Sequence, residues 1–142
     1  MSCRTADPAD VQALSRLAEQ LGYEAAPGEI AARLARMDRA REQVIVVVDA
    51  DGRVIGWASV RATEQIHSGA YAEVSGLVVD EAHRGRGAGR LLMSGVESWA
   101  REKGLPAVRL SANVTRTGAH RFYESLGFER TKQQFAFRKN LG

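Results

Sequence analysis

The sequence predicts a mixed α/β (α+β) domain, a largely antiparallel sheet with helices on both faces. Three observations point there: helical and strand-like apolar periodicities alternate along the chain, an Asp51-Gly52 turn joins two β-branched runs, and the apolar run 76–79 enters a Gly/Arg-rich loop that opens an amphipathic stretch. At 142 residues, 44% hydrophobic and 26% charged, the chain suffices for one real core and leaves no room for a second. Residues 1–142 are therefore read as a single domain.

Asp7-Pro8 is a helix start, and Val11, Leu14, Ala18 and Leu21 recur at helical spacing until Gly22 stops them. Pro27 opens a second helix with Ile30, Leu34 and Met37 on one face and Arg33, Arg36 and Asp38 around the others. Residues 43–49 and 53–61 form a hairpin about Asp51-Gly52. After a variable-looking loop, residues 70–79 make a longer strand, followed by the Gly-rich turn and a helix over 87–103 that Gly104-Leu105-Pro106 ends. A short strand over 107–112 leads through Asn113, Val114, Thr115 and Arg116 to a helix whose Ala119, Phe122, Tyr123 and Leu126 share a face, closed by Gly127. Residues 128–138 are expected to supply a final strand pair or one bent strand, whose Phe135 and Phe137 offer an apolar face for a homodimer. Trp57 and Trp99 are expected in the core, a wall of the acceptor pocket being the alternative for Trp57.

A formal charge of +3 suits a polyanionic ligand without arguing for nucleic acid. The single Cys3 excludes an internal disulfide framework and a Cys-rich metal site. His67 and His120 lack metal-ligand spacing, so no metal is expected. The first residues lack the apolar core of a signal peptide and no apolar run is long enough to span a membrane, which leads us to expect a cytoplasmic protein without a membrane partner.

The stretch His83-Arg84-Gly85-Arg86-Gly87-Ala88-Gly89-Arg90 reads as a phosphate cradle. Glycines let backbone amides approach an anion, the first helical turn leaves its amides unpaired, and the helix dipole and three arginines add positive charge. A P-loop would close on Gly-Lys-Ser/Thr, whereas Gly89 is followed by Arg90 and Leu91. The Gly85, Gly87, Gly89 spacing also departs from the dinucleotide fingerprint, and residues 107–110 lack its acidic partner.

Two motifs give the chain a resemblance to the GNAT superfamily of N-acetyltransferases over nearly its whole length. Arg84-Gly85-Arg86-Gly87-Ala88-Gly89 resembles that family's Arg/Gln-x-x-Gly-x-Gly/Ala pyrophosphate motif. Ala119-His120-Arg121-Phe122-Tyr123-Glu124-Ser125-Leu126-Gly127-Phe128 is similar to its Ala-x-x-Phe-Tyr-x-x-x-Gly-Phe signature. The resemblance implies a six- to seven-stranded sheet splayed where the cofactor enters, and acetyl-CoA as co-substrate without a metal. It places the pyrophosphate on the amides of Gly85, Arg86, Gly87, Ala88, Gly89 and Arg90. Arg84, Arg86 or Arg90 would meet the 3′-phosphate. The pantetheine arm would run along the open edge of Leu77, Val78 and Val79, with Gly76 marking a bulge.

The implied chemistry is direct transfer of an acetyl group to a primary amine, the acceptor being a small, aminoglycoside-like, aminoalkylphosphonate-like or peptide amine. Cys3, far in sequence from both motifs, is an improbable acyl carrier. Period-two alternation puts Tyr71, Glu73, Ser75, Leu77 and Val79 on one face, and a carboxylate in that apolar strand is either an edge charge or, as in family members with a glutamate there, the base. Tyr123 matches the family tyrosine that protonates the departing thiolate. Asn113 matches a polar position that contacts coenzyme A, and the amide of Val78 or Val79 would meet the oxyanion. A non-catalytic acyl-CoA sensor is the alternative, which the presence of both Glu73 and Tyr123 disfavours. A nucleic-acid-binding role is not expected, since no stacking aromatics accompany the arginines.

Overall fold

The structure, a computed structural model, describes all 142 residues, which divide into two compact units, Met1–Leu110 and Ser111–Gly142. The first unit contains strands β1 (Ser2–Thr5), β2 (Glu42–Val48), β3 (Val54–Gln65), β4 (Gly69–Val79) and β5 (Val108–Arg109) and helices α1 (Val11–Gln20), α2 (Pro27–Arg36) and α3 (Ala88–Glu102). The strands form one sheet in chain order; β4 and β5 run parallel and every other pair antiparallel.

β2 reads as an unbroken β-branched run because it is covered from both sides. Its Val44, Val46 and Val48 meet Leu14 and Leu17 of α1 and Leu34 of α2. On the opposite face α3 lies so close that a Cβ on Gly95 would stand 3.2 Å from an Ile45 methyl. The α1 entry forms as expected: the Asp7 side chain accepts from the Ala9 amide, and Asp10 bonds back to the Asp7 amide. Buried Asp10 also receives a two-pronged contact from Arg4 at 2.7 and 2.9 Å, which ties β1 to α1.

The sheet has five strands, not six to seven. Residues Ser2–Thr5 carry no strand pattern, yet the edge of β2 supplies a full ladder for them. β3 runs past the expected end at Arg61 and pairs with β4 as far as Gln65 and Gly69, so most of the loop expected before the long strand is itself strand. Conversely β5 spans only Val108–Arg109.

The second unit contains α4 (Thr117–Ser125). It stops where Gly127, at φ 93°, lets the Gly127 and Phe128 amides return to the carbonyls of Glu124 and Tyr123. The final strand pair expected over 128–138 does not form, and residues 129–142 are exposed. Alternation at Phe135 and Phe137 defines an apolar face, but a strand also needs a ladder partner. Within this unit the segment, flanked by Lys132, Arg138 and Lys139, has none.

Candidate active site

Strand β4 delivers the chain into the Gly/Arg loop through Asp80, whose side chain caps the 3-10 turn Glu81–His83. Gly85 and Gly87 then take φ of 78° and 89°, the left-handed region that glycine enters without strain, and α3 begins at Ala88. The first helical bond runs from the Leu91 amide to the Gly87 carbonyl at 3.0 Å. Within this unit, the amides of residues 85–90 donate to no protein acceptor. Six consecutive donors thus stand without a protein acceptor at the positive end of a 15-residue helix, an arrangement with the charge and hydrogen-bonding capacity to receive an anion.

The three loop arginines separate by environment. Arg84 folds back, its Nε donating to the Val79 carbonyl at 3.1 Å, and so braces the loop against the strand end. Arg86 and Arg90 are exposed and make no ion pair or side-chain hydrogen bond, which leaves both guanidinium groups available to phosphate.

The β4 edge opens just before this loop. β5 pairs only with Ala72 and Glu73, so from Gly76 to Val79 β4 has a ladder partner on the β3 side alone. The β3–β4 register also slips: Val74 faces Val60, Gly76 faces Ser59, and Ser75 has no partner. The expected bulge is therefore present, one residue ahead of Gly76. It reverses the alternation, so that Leu77 and Val79 leave the face of Tyr71 and Glu73. Val78, 4% exposed, joins the α1/α2 core instead. A Cβ on Gly76 would lie 2.9 Å from the Trp57 ring, so the glycine lets that indole lie across the bulge.

Glu73 is half-buried, its Oε1 receiving Arg61 at 2.9 Å and its Oε2 3.5 Å from the Tyr71 hydroxyl. The cross-strand pair with Arg61 accounts for a carboxylate in this strand and holds it beside the bulge.

In the second unit, Tyr123 packs between Phe122 and Phe128 with ring centroids 5.4 and 5.9 Å away. Burial pushes its phenol above the ordinary value, with the Arg116 charge opposing. Asn113 builds the turn before α4, its Oδ1 accepting from the Thr115 amide and hydroxyl at 3.0 and 2.8 Å, and its carbonyl meeting His120 Nε2 at 2.8 Å.

Sequence reasoning missed Asp80, which is buried and held by Gln20, His83 and the Ala82 amide. Its signal was available, because an aspartate directly before a short turn is a cap candidate. Gln20 and Arg16, which reach it from α1, carry no sequence signal.

Residues 11–128 match the model of the Acetyltransferase (GNAT) family. The chain is 30% identical to aminoglycoside N(6′)-acetyltransferase type 1 of Stenotrophomonas maltophilia, over 97% of its own length and 92% of that protein's. It is 34% identical to aminoalkylphosphonate N-acetyltransferase of Salmonella typhimurium over 64% of this chain and 58% of that one. Over 52% of its length it is 39% identical to the uncharacterized N-acetyltransferase YhdJ of Bacillus subtilis, of which it spans only about half (51%). Among solved structures, a Trypanosoma brucei acetyltransferase superposes with a TM-score of 0.81 at 25% identity, covering 97% of this chain and 99% of that one. The aminoglycoside N-acetyltransferase AAC(6′)-Iy solved with CoA reaches 0.82 at 21% identity over 98% and 99% of the two chains, a likeness of fold. No helix here is long and apolar enough to cross a membrane. The amide cradle after β4, the bulged open strand and the extent of the family match together make this chain a member of the GNAT family of acetyltransferases, and so an N-acetyltransferase.

Proposed function

We propose that residues 1–142 act as one domain that transfers the acetyl group of acetyl-CoA to a primary amine by direct attack in a ternary complex. The observation that carries this reading is the run of free amides at residues 85–90 placed directly after a strand whose edge is open from Ser75 onward. The cradle fits a pyrophosphate because Gly85 and Gly87 present backbone without side chains. Arg86 and Arg90 oppose the phosphate charge and Arg84 braces the loop. The open edge at Leu77, Val78 and Val79 takes the pantetheine amides as an added strand would.

Acetyl-CoA supplies the acyl thioester. The amide of Val78 or Val79, turned by the bulge, meets the oxyanion as the amine nitrogen bonds the acyl carbon and the C–S bond breaks. Tyr123, kept protonated by burial, gives its proton to the departing thiolate. Glu73, oriented by Arg61, accepts the proton from the ammonium. Asn113 contributes a polar contact to the coenzyme. Cys3 is unsuited to carry the acyl group: it lies on the far edge strand, its Sγ faces the Leu91 carbonyl at 3.4 Å, and burial raises its thiol above the ordinary value.

We further propose a cytoplasmic location and a homodimer formed through Phe135 and Phe137, whose 90% and 94% exposure supports the second of these. A monomer in light scattering would refute the dimer.

The deciding experiment is thiol release from acetyl-CoA across aminoglycosides, polyamines, aminoalkylphosphonates, amino acids and peptides. Acceptor-dependent release supports transfer. Acetyl-CoA binding with silence across the panel would favour a sensor instead.

A further inference from the structure

The α1/α2 face of the sheet changes character along its strands. Near the loop end it is apolar and covered, with Val46, Trp57 and Val78 against Leu14, Leu17 and Leu34. Toward the β3–β4 hairpin the same face carries Ser59, Arg61, Tyr71, Glu73 and Ser75 and, in register beside Glu73, Arg109 of β5. Ser59 and Ser75 join their hydroxyls at 2.9 Å, so this polar strip runs up to the bulge itself.

Within the strip the charges are unevenly satisfied. Arg61 and Glu73 take each other at 2.9 Å. Arg109 stands opposite Glu73 in register yet does not pair with it. Its guanidinium lies over the Tyr71 ring, 4.1 Å from the centroid, and its one polar contact is the Ser68 hydroxyl at 3.5 Å. Tyr71 is 5% exposed, so the ring beneath Arg109 is held in place. The ring contact positions the guanidinium without using its N–H donors, which a two-oxygen acceptor could take in a fork. Two guanidinium groups and one carboxylate leave the strip one formal positive charge.

We infer that Arg109 is a specificity-determining residue that binds an oxyanion group, phosphonate, carboxylate or phosphate, carried close to the amine of the acceptor. The inference rests on the acetyl-transfer reading, which places the reacting amine at the bulge. An acceptor bearing an oxyanion satisfies Arg109 and leaves its amine beside Glu73. A polycationic acceptor would bring like charge against the unpaired guanidinium. The selected substrates are thus short amino acids and aminophosphonates, not aminoglycosides.

The test uses 2-aminoethylphosphonate, β-alanine and phosphoethanolamine against propylamine and ethanolamine, with the wild type and Arg109→Ala and Arg109→Lys. Equilibrium binding to the protein saturated with CoA is measured alongside acetyl-CoA thiol release. The expected result is a preference for the oxyanion amines of about tenfold or more, one charge-assisted contact. That ratio falls toward one in Arg109→Ala and is partly kept in Arg109→Lys, which has the charge without the fork. The three oxyanion amines, ranked against each other, show which oxyanion is read. A wild type without the preference, or an unchanged ratio in Arg109→Ala, overturns the inference. Binding preference without thiol release from any amine would uphold Arg109 as the oxyanion reader while refuting acetyl transfer.

Discussion

Gln20 Nε2 donates to Asp80 Oδ1 at 3.1 Å while Gln20 Oε1 accepts from the Glu81 amide at 2.9 Å, so one side chain of α1 clamps both sides of the joint between β4 and the Gly/Arg loop. The Asp80 amide is itself bonded to the Ile55 carbonyl at 2.8 Å. The loop that presents the amides thus starts from a buried, hydrogen-bonded carboxylate and not from a free strand end.

Asp80→Ala is expected to destabilise the protein by about 1–3 kcal/mol, the net worth of the hydrogen bonds that Gln20, the Ala82 amide and His83 make to a charged carboxylate, and to raise the KM for acetyl-CoA. The effect depends on pH. The Gln20 hydrogen bond first, with the Ala82 amide and His83, holds the Asp80 carboxyl below its ordinary value against desolvation. A depressed folded value gives stabilisation that is complete above the unfolded value of about 3.9 and lost as pH falls through the lower folded one. Urea unfolding of wild type and Asp80→Asn should therefore differ at pH 7 and converge in acid. A gap that widened on acidification would contradict the assignment.

Arg86→Ala and Arg90→Ala are each expected to raise the KM for acetyl-CoA several-fold with little effect on stability, since both side chains are exposed and unpaired. Arg84→Ala should differ by also lowering the melting temperature, because it removes the bond to the Val79 carbonyl. Acetyl-CoA titration and thermal unfolding of the three variants check this. Identical profiles would mean that Arg84 does not brace the loop.

Tyr123→Phe should lower kcat by about an order of magnitude or more while acetyl-CoA affinity changes little. Because burial raises the phenol above its usual value of about 10, kcat of the wild type should show no alkaline fall up to about pH 10. A pH profile with a falling limb near neutrality that vanished in Tyr123→Phe would assign the tyrosine a much lower value than its surroundings support. Unchanged turnover in the variant would remove its role as acid.

The elements that bear on the site were legible where local chemistry is decisive. Asp7-Pro8, Gly87 and Gly127 each fix a helix boundary through a cap or a left-handed φ, and the boundaries fall there. The bulge was foreshadowed by Gly76, but its extra residue is Ser75. Alternation alone therefore put Leu77 and Val79 on the wrong face. β1 was invisible because Ser2–Thr5 is strand only by virtue of the β2 edge. The converse holds for Phe135 and Phe137, which have a strand pattern and no ladder. Long-range partners such as Gln20 for Asp80, or Tyr71 for Arg109, come from the fold and leave no trace in sequence spacing.

The pairing of Gly76 with Trp57 gives the sharpest test of the bulge. In Gly76→Ala the new methyl would stand 2.9 and 3.0 Å from two carbons of the indole, closer than van der Waals contact permits. The ring must move, yet it is packed against the α1/α2 core and its Nε1 is already buried without a partner. Either the indole shifts or the strand at the bulge does, at about 1–3 kcal/mol for overpacking. If the bulge shapes the acetyl site, kcat should fall along with the urea midpoint. In a Trp57→Leu background, which by itself leaves a cavity, Gly76→Ala should then add little further loss, because the offending ring is gone. A Gly76→Ala variant as stable and active as the wild type would show that the indole does not constrain the bulge.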